Sequence, residues 1–337
     1  MTDKGVRPLA LMLAAQLLVV ASLVIWASLG FPMPGLDAPG ASTSTGAGST
    51  TTPAVAPAGR GAAATADPAL APVPTANAFD GRRAFALLRE QVLRYGWRPA
   101  GSASLRRLAV RLRALLPGGR FEAIPGHRGL RNVVGSIPGR GKPIVVGAHY
   151  DVVSRPVGFI GANDGAAGTA AVVELARSLA HAKRGPGDRP VRFVLFDGEE
   201  APVGCLLFER CALRGSKAYA RAHAAELRSL VLLDYIAEKH GLSFPREGGS
   251  DPALWQLLRA AASDVGVGAL FPDADAGRII DDHTPFTDRG IPAIDVIDFD
   301  YPPAHTLGDA LDKVSVRSLD AVGEAVRRLV VQLRREP

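Results

Sequence analysis

From Pro143 onward the chain alternates two kinds of apolar pattern, and that alternation restricts its architecture more than any other feature. Short apolar runs read as buried strands over Pro143 to Ala148, Val191 to Phe196, Leu230 to Tyr235 and Ala293 to Ile297. Between and after them, Gly165 to Ala182, Ser216 to Leu227, Asp251 to Val265 and Ser315 to Arg335 carry apolar residues at helical spacing. Pro252 stands in the first turn of its segment, where a helix tolerates proline best. Upstream, Phe79 to Tyr95 and Ser104 to Leu116 read as helices, and Arg120 to Ile124 and Arg131 to Ser136 as strands. Strands that alternate with helices predict a three-layer α/β/α sandwich around a mostly parallel, mixed central sheet. In such sheets ligands gather at the carboxyl ends of the strands, which says where to look for chemistry.

The amino-terminal part reads differently. Pro8 to Phe31 is an uncharged apolar run, and a bilayer core needs about 20 such residues of helix. Lys4 and Arg7 precede it and the next charge is Asp37. The positive-inside rule therefore predicts a cytoplasmic tip and anchor over residues 1–32, with the bulk of the chain periplasmic or extracellular. The run is longer than a typical signal-peptide core, and no clean cleavage site follows it. Residues 33–77 are rich in Ala, Pro, Gly, Ser and Thr. Such a segment buries too little to offset its ordering entropy, so it is expected to be a disordered linker to a catalytic domain over 78–337.

Composition excludes several classes. The chain is 47% hydrophobic, enough to build a core, and its two cysteines exclude a disulfide scaffold or a zinc-finger array. The net charge of +6 is scattered, with no nucleic-acid motif, so no nucleic-acid partner is expected.

The polar residues then fall into a pattern. One predicted strand runs into His149-Tyr150-Asp151, and a glycine-rich loop places Asp164 at the mouth of a helix. The next strand ends in Asp197-Gly198-Glu199-Glu200, another in Asp234, and a proline-rich loop after the last carries His305. Carboxylates and imidazoles without thiolates suit zinc at a catalytic site. So many carboxylates at one spot would repel one another unless a cation sat among them.

These motifs, together with Asp281-Asp282-His283-Thr284-Pro285-Phe286 and His305-Thr306, make the stretch from Phe79 to Arg335 resemble the M28 family of zinc metallopeptidases, which also holds the glutaminyl cyclases. The resemblance implies that His149 and Asp234 hold one zinc and Glu200 and His305 another, with Asp164 bridging. It implies that Asp151 accepts the second ring N–H of His149. Glu199 is implied to be the general base, taking a proton from zinc-activated water and passing it to the leaving amine. Asp281 is implied to join a hydrogen-bond network with that base.

Two chemistries share such a site, and both act on peptide amino termini. One is hydrolysis of the first peptide bond, usually with two zinc ions. The other is cyclisation of amino-terminal glutamine to pyroglutamate, in enzymes that resemble one-zinc proteins using the counterparts of Asp164, Glu200 and His305. Ile280-Asp281-Asp282-His283 is closer to the cyclases. Ala304 stands where cyclases carry a tryptophan beside the last zinc histidine, and Asp295 replaces a late-strand histidine. The balance favours a metallo-aminopeptidase, with the cyclase as the alternative. A non-enzymatic ectodomain is the remote third reading, disfavoured because all the ligand positions are present.

The remaining candidates have blander readings. His127, His181, His223 and His240 lack ligand spacing. His283 is expected beside the site without being a ligand, and Asp197 to orient its turn. Asp295, Asp298 and Asp300 are expected on a solvated loop. Cys205 and Cys211, six apart, are expected to pair if the domain lies outside the cytoplasm.

Overall fold

A computed structural model describes residues 70–336 of the chain. The Pro8 to Phe31 run lies outside the described residues. Among the described ones no helix is long and apolar enough to cross a membrane.

The sheet has six strands: β1 (Arg120–Ala123), β2 (Arg131–Ile137), β3 (Ile144–His149), β4 (Val191–Phe196), β5 (Ser229–Asp234) and β6 (Ala293–Ile297), in the spatial order β1-β2-β4-β3-β5-β6. The β4-β3-β5-β6 block is parallel, and β1 and β2 add an antiparallel edge. The sheet is therefore mixed, with parallel pairing at its centre as expected. Parallel strands must be buried on both faces, and β3 and β5 are buried at every position.

Helices supply the cover. One face carries the larger core, where Val146, Phe193, Val231 and Ile294 meet α1 (Gly81–Glu90), α2 (Ala103–Leu115), α3 (Ala166–Ala180), α6 (Pro252–Asp264) and α8 (Val316–Arg335). The other face buries Val145, Val194 and Leu232 against Tyr219 of α5 (Arg214–His223) and Phe286 of the short α7 (Thr284–Thr287). Alternate strand residues thus serve opposite cores. Each aliphatic side chain fully buried contributes roughly 1.5–3 kcal/mol, which fixes the register.

Local signals set the helix starts. Asp80, Ser102, Asp251 and Ser315 each accept a hydrogen bond from the backbone N–H three residues on. Helix α3 has no such side-chain cap. It opens with Gly165 at φ +81°, where an added Cβ would meet the Asp151 carbonyl at 2.6 Å. At Gly168 an added Cβ would lie 2.3 Å from the Leu233 carbonyl, so α3 packs directly on β5.

The segment expected to be linker ends earlier than residue 77. Ala71 is buried in the main core, Thr75 N–H donates to Val265 at 2.9 Å, and Phe79 N–H donates to the Glu324 carboxylate at 2.7 Å. Backbone hydrogen bonds and one apolar anchor are enough to dock this stretch despite its linker-like composition.

Candidate active site

The parallel register brings the site together. His149 lies opposite Phe196, and Asp234 lies opposite Ile297, so β3, β4, β5 and β6 finish at one edge. The residues just beyond that line are the acidic and imidazole groups singled out in the sequence.

At the centre, His149 Nε2 lies 3.2 Å from Asp164 Oδ1 and 3.3 Å from Asp234 Oδ1. The other Asp164 oxygen lies 3.3 Å from His305 Nε2, which is 3.9 Å from Glu200 Oε1. Donor atoms of His149, Asp164 and Glu200 all lie within 4.8 Å of one another. Asp164 sits just ahead of α3, where the positive end of the helix dipole favours a carboxylate. Glu199, Glu200, Asp164, Asp234, Asp281 and His305 line one pocket of about 340 Å³. Its remaining wall is largely apolar, with Phe208, Tyr235, Ile279, Ile280, Ile297 and Phe299.

The side chains by themselves are electrostatically strained. Burial, reinforced by the charge of Glu200, pushes Glu199 well above the usual carboxylate range. Burial and the charge of Asp164 do the same to Glu200. Burial lifts Asp234 and Asp281 to about 7. Burial would lift Asp164 too, but the bonds to His149 and His305 outweigh it and hold that carboxyl low. Glu200 Oε1 is buried and finds no hydrogen-bond donor among the described residues. A donor set of imidazoles and carboxylates with an orphaned oxygen is what a divalent cation satisfies, so these residues fit a zinc site.

Asp151 departs from expectation. Its Oδ1 stands 3.8 Å from His149 Nδ1, beyond hydrogen-bond reach. Its two oxygens instead accept the backbone N–H groups of Glu199 and Glu200, at 3.1 and 3.3 Å. The sharp turn after β4 exposes those donors, and a buried carboxylate between them satisfies both. Asp151 therefore fixes the turn that carries the base. Asp197 orients the same region by accepting from Arg131 N–H at 2.9 Å and from the Tyr150 hydroxyl at 3.1 Å.

Several contributors were not legible in the sequence. The Tyr235 hydroxyl donates to Asp164 Oδ2 at 2.9 Å, from a backbone at φ +48°. His305 has φ +54°. Left-handed backbone at a non-glycine residue costs on the order of 1 kcal/mol and clusters at working sites. Asp309 accepts from the backbone N–H groups of Asn163 and Asp164, at 2.8 and 3.0 Å, so it shapes the loop that presents Asp164. Arg98 is fully buried and donates to the carbonyls of Ile160, Gly161 and Tyr150. Burial lowers its guanidinium to about 10, against the opposing charges of Asp164, Asp309 and Asp151.

Behind Asp281 lies a second buried cluster. His283 Nε2 is 3.2 Å from Glu247 Oε2, and its Nδ1 is 3.3 Å from Asp295 Oδ2. Burial alone would push the imidazole down, but Asp295 and Glu247 outweigh it and lift it to about 10. Glu247 also accepts the backbone N–H of Ile279 at 3.0 Å, tying the clamp to the pocket wall. Asp281, His283 and Asp295 offer donor atoms close enough for a metal. With both ring nitrogens of His283 facing carboxylates, the arrangement reads as a doubly paired imidazolium. His283 is thus beside the site, as expected. Asp295 and Asp298 are not on a solvated loop: both are buried, Asp295 because it is part of β6 and pairs with His283. Burial and the Glu238 carboxyl push Asp298 up to about 8. Asp300 is exposed.

Cys205 and Cys211 form a disulfide. It brackets Phe208, whose ring reaches the pocket. His223 is paired with Glu122 at 3.1 Å.

The sheet thus delivers carboxylates and imidazoles to its carboxyl edge, an arrangement suited to a divalent metal. The description "Peptidase family M28" matches residues 132–330, and the chain belongs to that family. It is similar to aminopeptidase YwaD of Bacillus subtilis, 27% identical over 203 residues, which cover 56% of this chain and 40% of that protein. The match thus spans less than half of that relative's length. It is also 27% identical over 249 residues to glutaminyl-peptide cyclotransferase of Bos taurus, covering 61% of this chain and 67% of that protein. Among solved structures, glutaminyl cyclase of Porphyromonas gingivalis superposes with a TM-score of 0.67 at 29% identity, covering 77% of this chain and all of that one.

Proposed function

We propose that this protein is a zinc-dependent aminopeptidase that removes a bulky apolar residue from peptide amino termini. The observation that carries the reading is the convergence of His149, Asp164, Glu200, Asp234 and His305 on a pocket whose wall also holds Glu199. His149, Asp164, Glu200, Asp234 and His305 would hold the metal, as one or two ions. Bound zinc would supply Lewis-acid polarisation of the peptide carbonyl and lower the pKa of water. Glu199, buried and lifted by Glu200, is suited to accept a proton from the attacking water and return it to the departing amine. Asp151 holds the Glu199-Glu200 turn so that the base keeps its aim. Carboxylates on the pocket wall attract the α-ammonium group, and Ile279, Ile280, Ile297 and Phe299 receive the first side chain.

The second reading is a glutaminyl cyclase, favoured by the Asp281-Asp282-His283 segment and by the similarity to cyclases. Against it, Ala304 stands beside His305, and most of the wall beyond the carboxylates is apolar where an amide side chain needs polar partners. Incubating the zinc-loaded protein with Leu-peptides and Gln-peptides and weighing the products separates the two. Loss of the whole first residue supports the peptidase. Loss of ammonia alone, confined to the Gln-peptides, replaces it with the cyclase.

The same reading has the domain working outside the cytoplasm, tethered by the Pro8 to Phe31 run. The Cys205–Cys211 disulfide supports this, because such bonds persist in oxidising compartments.

A further inference from the structure

The pocket that holds Glu199 does not stand alone. Arg278 and Ile280 line it and also line a second, larger cavity of about 700 Å³ beside it. The two spaces adjoin at those side chains. The second cavity differs sharply in charge. Lys217 and Arg221 enter from α5, Arg289 from just beyond α7, and Arg278 from the shared wall. Two acids, Glu209 and Asp288, face these four cations. Lys217 Nζ is committed to the carbonyls of Glu209 and Ala212, and Arg289 gives one N–H to Pro285 at 2.8 Å. Arg221 and Arg278 are exposed and make no hydrogen bond or ion pair among the described residues.

We propose that this groove receives the part of the peptide that follows the scissile bond and selects carboxylates there. The inference rests on the reading of an enzyme acting at peptide amino termini. A peptide whose first residue sits in the inner pocket reaches the groove by passing Arg278 and Ile280, the side chains common to both spaces. The inner pocket is walled by acids, whereas four cations outnumber two acids in the outer groove and two of those cations are unpaired, so the cleft is polarised along its length. It orients a chain with its ammonium end inward and negative groups outward. Free arginine forks match carboxylates in bidentate geometry. The carboxylate can belong to an Asp or Glu side chain or to the free carboxyl terminus of a short peptide. Each exposed ion pair is worth about two- to fivefold in affinity, so two engaged arginines give roughly tenfold.

The test compares Leu-Ala-Asp-Asp amide, Leu-Ala-Lys-Lys amide, Leu-Ala-Ala-Ala amide and Leu-Ala-Ala-Ala free acid, with a matching Gln-initiated set. Wild-type protein is compared with the Arg221→Glu/Arg278→Glu double variant. The proposal expects kcat/KM for the acidic peptide to exceed that for the basic one by fivefold or more. The difference should lie in KM, shrink with added salt, and reverse in the double variant. A preference for the free acid over the alanine amide assigns the effect to the carboxyl terminus; a preference among the amides assigns it to side chains. An acidic-to-basic ratio within twofold, or one untouched by charge reversal, overturns the proposal. Fluorescence anisotropy of carboxyl-terminally labelled Asp-Asp and Lys-Lys peptides reads the same preference without turnover. If no peptide reacts but the acidic one binds tighter, the enzymatic reading fails and the groove stands. Equal binding ends the groove.

Discussion

The His283→Gln substitution probes the clamp behind the pocket wall, and its consequence has a sign and a size. His283 is 1% exposed, and its two ring nitrogens face Glu247 and Asp295 at 3.2 and 3.3 Å. Its folded-state pKa of about 10 lies above the ordinary value of 6.5, so folding takes up a proton across that window. Stability from this contact is complete below about pH 6.5 and drains away as pH rises towards 10. Glutamine keeps much of the shape and cannot carry the charge. Near pH 6.5 the wild type should exceed the variant by about 3–5 kcal/mol, the usual cost of breaking a buried pair. The first pH unit above that should remove about 1 kcal/mol of the advantage and the next about 1.3, or a little over ~2 kcal/mol by about pH 8.5. Other buried carboxyls, including Asp197 at about 7, titrate in the same range. The quantity to follow is therefore the difference between the two proteins, measured by urea unfolding at fixed zinc concentration. A difference that stays constant from about pH 6.5 to 8.5 would refute a charged His283.

Glu199→Gln should abolish turnover while metal content, measured by atomic absorption, stays at the wild-type level, because it removes the base and leaves the ligand atoms in place; loss of metal would reassign the residue. Asp164→Ala should lower zinc content far more than Asp151→Ala, since Asp164 faces both histidines while Asp151 holds the backbone of Glu199 and Glu200. Asp151→Ala should instead cost on the order of a hundredfold in kcat, as displacement of a catalytic group does. Replacing Cys205 and Cys211 by serine should cost about 2 kcal/mol of stability by loop-closure entropy, and should raise KM for apolar first residues as Phe208 loses its fixed position.

The central part of the fold could be read because parallel strands announce themselves. β3, β4, β5 and β6 are short apolar runs separated by helical patterns, and each was placed within a residue or two. The convergence of His149, Asp164, Glu200, Asp234 and His305 was legible for a related reason. His149 and Asp234 end parallel strands, so the sheet register fixes their positions, and the segments after β3, β4 and β6 carry the other three to the same edge. What escaped the sequence is what depends on contact alone. No pattern in the chain announces that Glu247 would reach His283, that Asp309 would cap the Asp164 loop, or that Arg98 would be buried against three carbonyls. The charge of Asp295 suggests a solvated loop, and the structure buries it in β6. Inside a strand the alternation of faces outranks the cost of burying a carboxylate, provided that a partner waits, and His283 does. The stretch from Ala71 to Ala76 was misread in the opposite sense. Its composition resembles a linker, but a few backbone hydrogen bonds to a preformed surface order it.

The same reasoning explains why so many acids can coexist at one sheet edge. Asp151, Asp197 and Asp309 accept backbone N–H groups or hydroxyls. Asp295 and Glu247 share an imidazolium. Glu199 and Glu200 are pushed well above the usual carboxylate range by burial, reinforced by the charge of Glu200 on the first and of Asp164 on the second. Asp164 and Asp234 face the histidines, and with Glu200 they are the carboxylates placed to hold a cation. Burial raises Glu199 and Glu200, both face the pocket, and one Glu200 oxygen has no donor among the described residues, which fits the pair for cation binding and proton transfer.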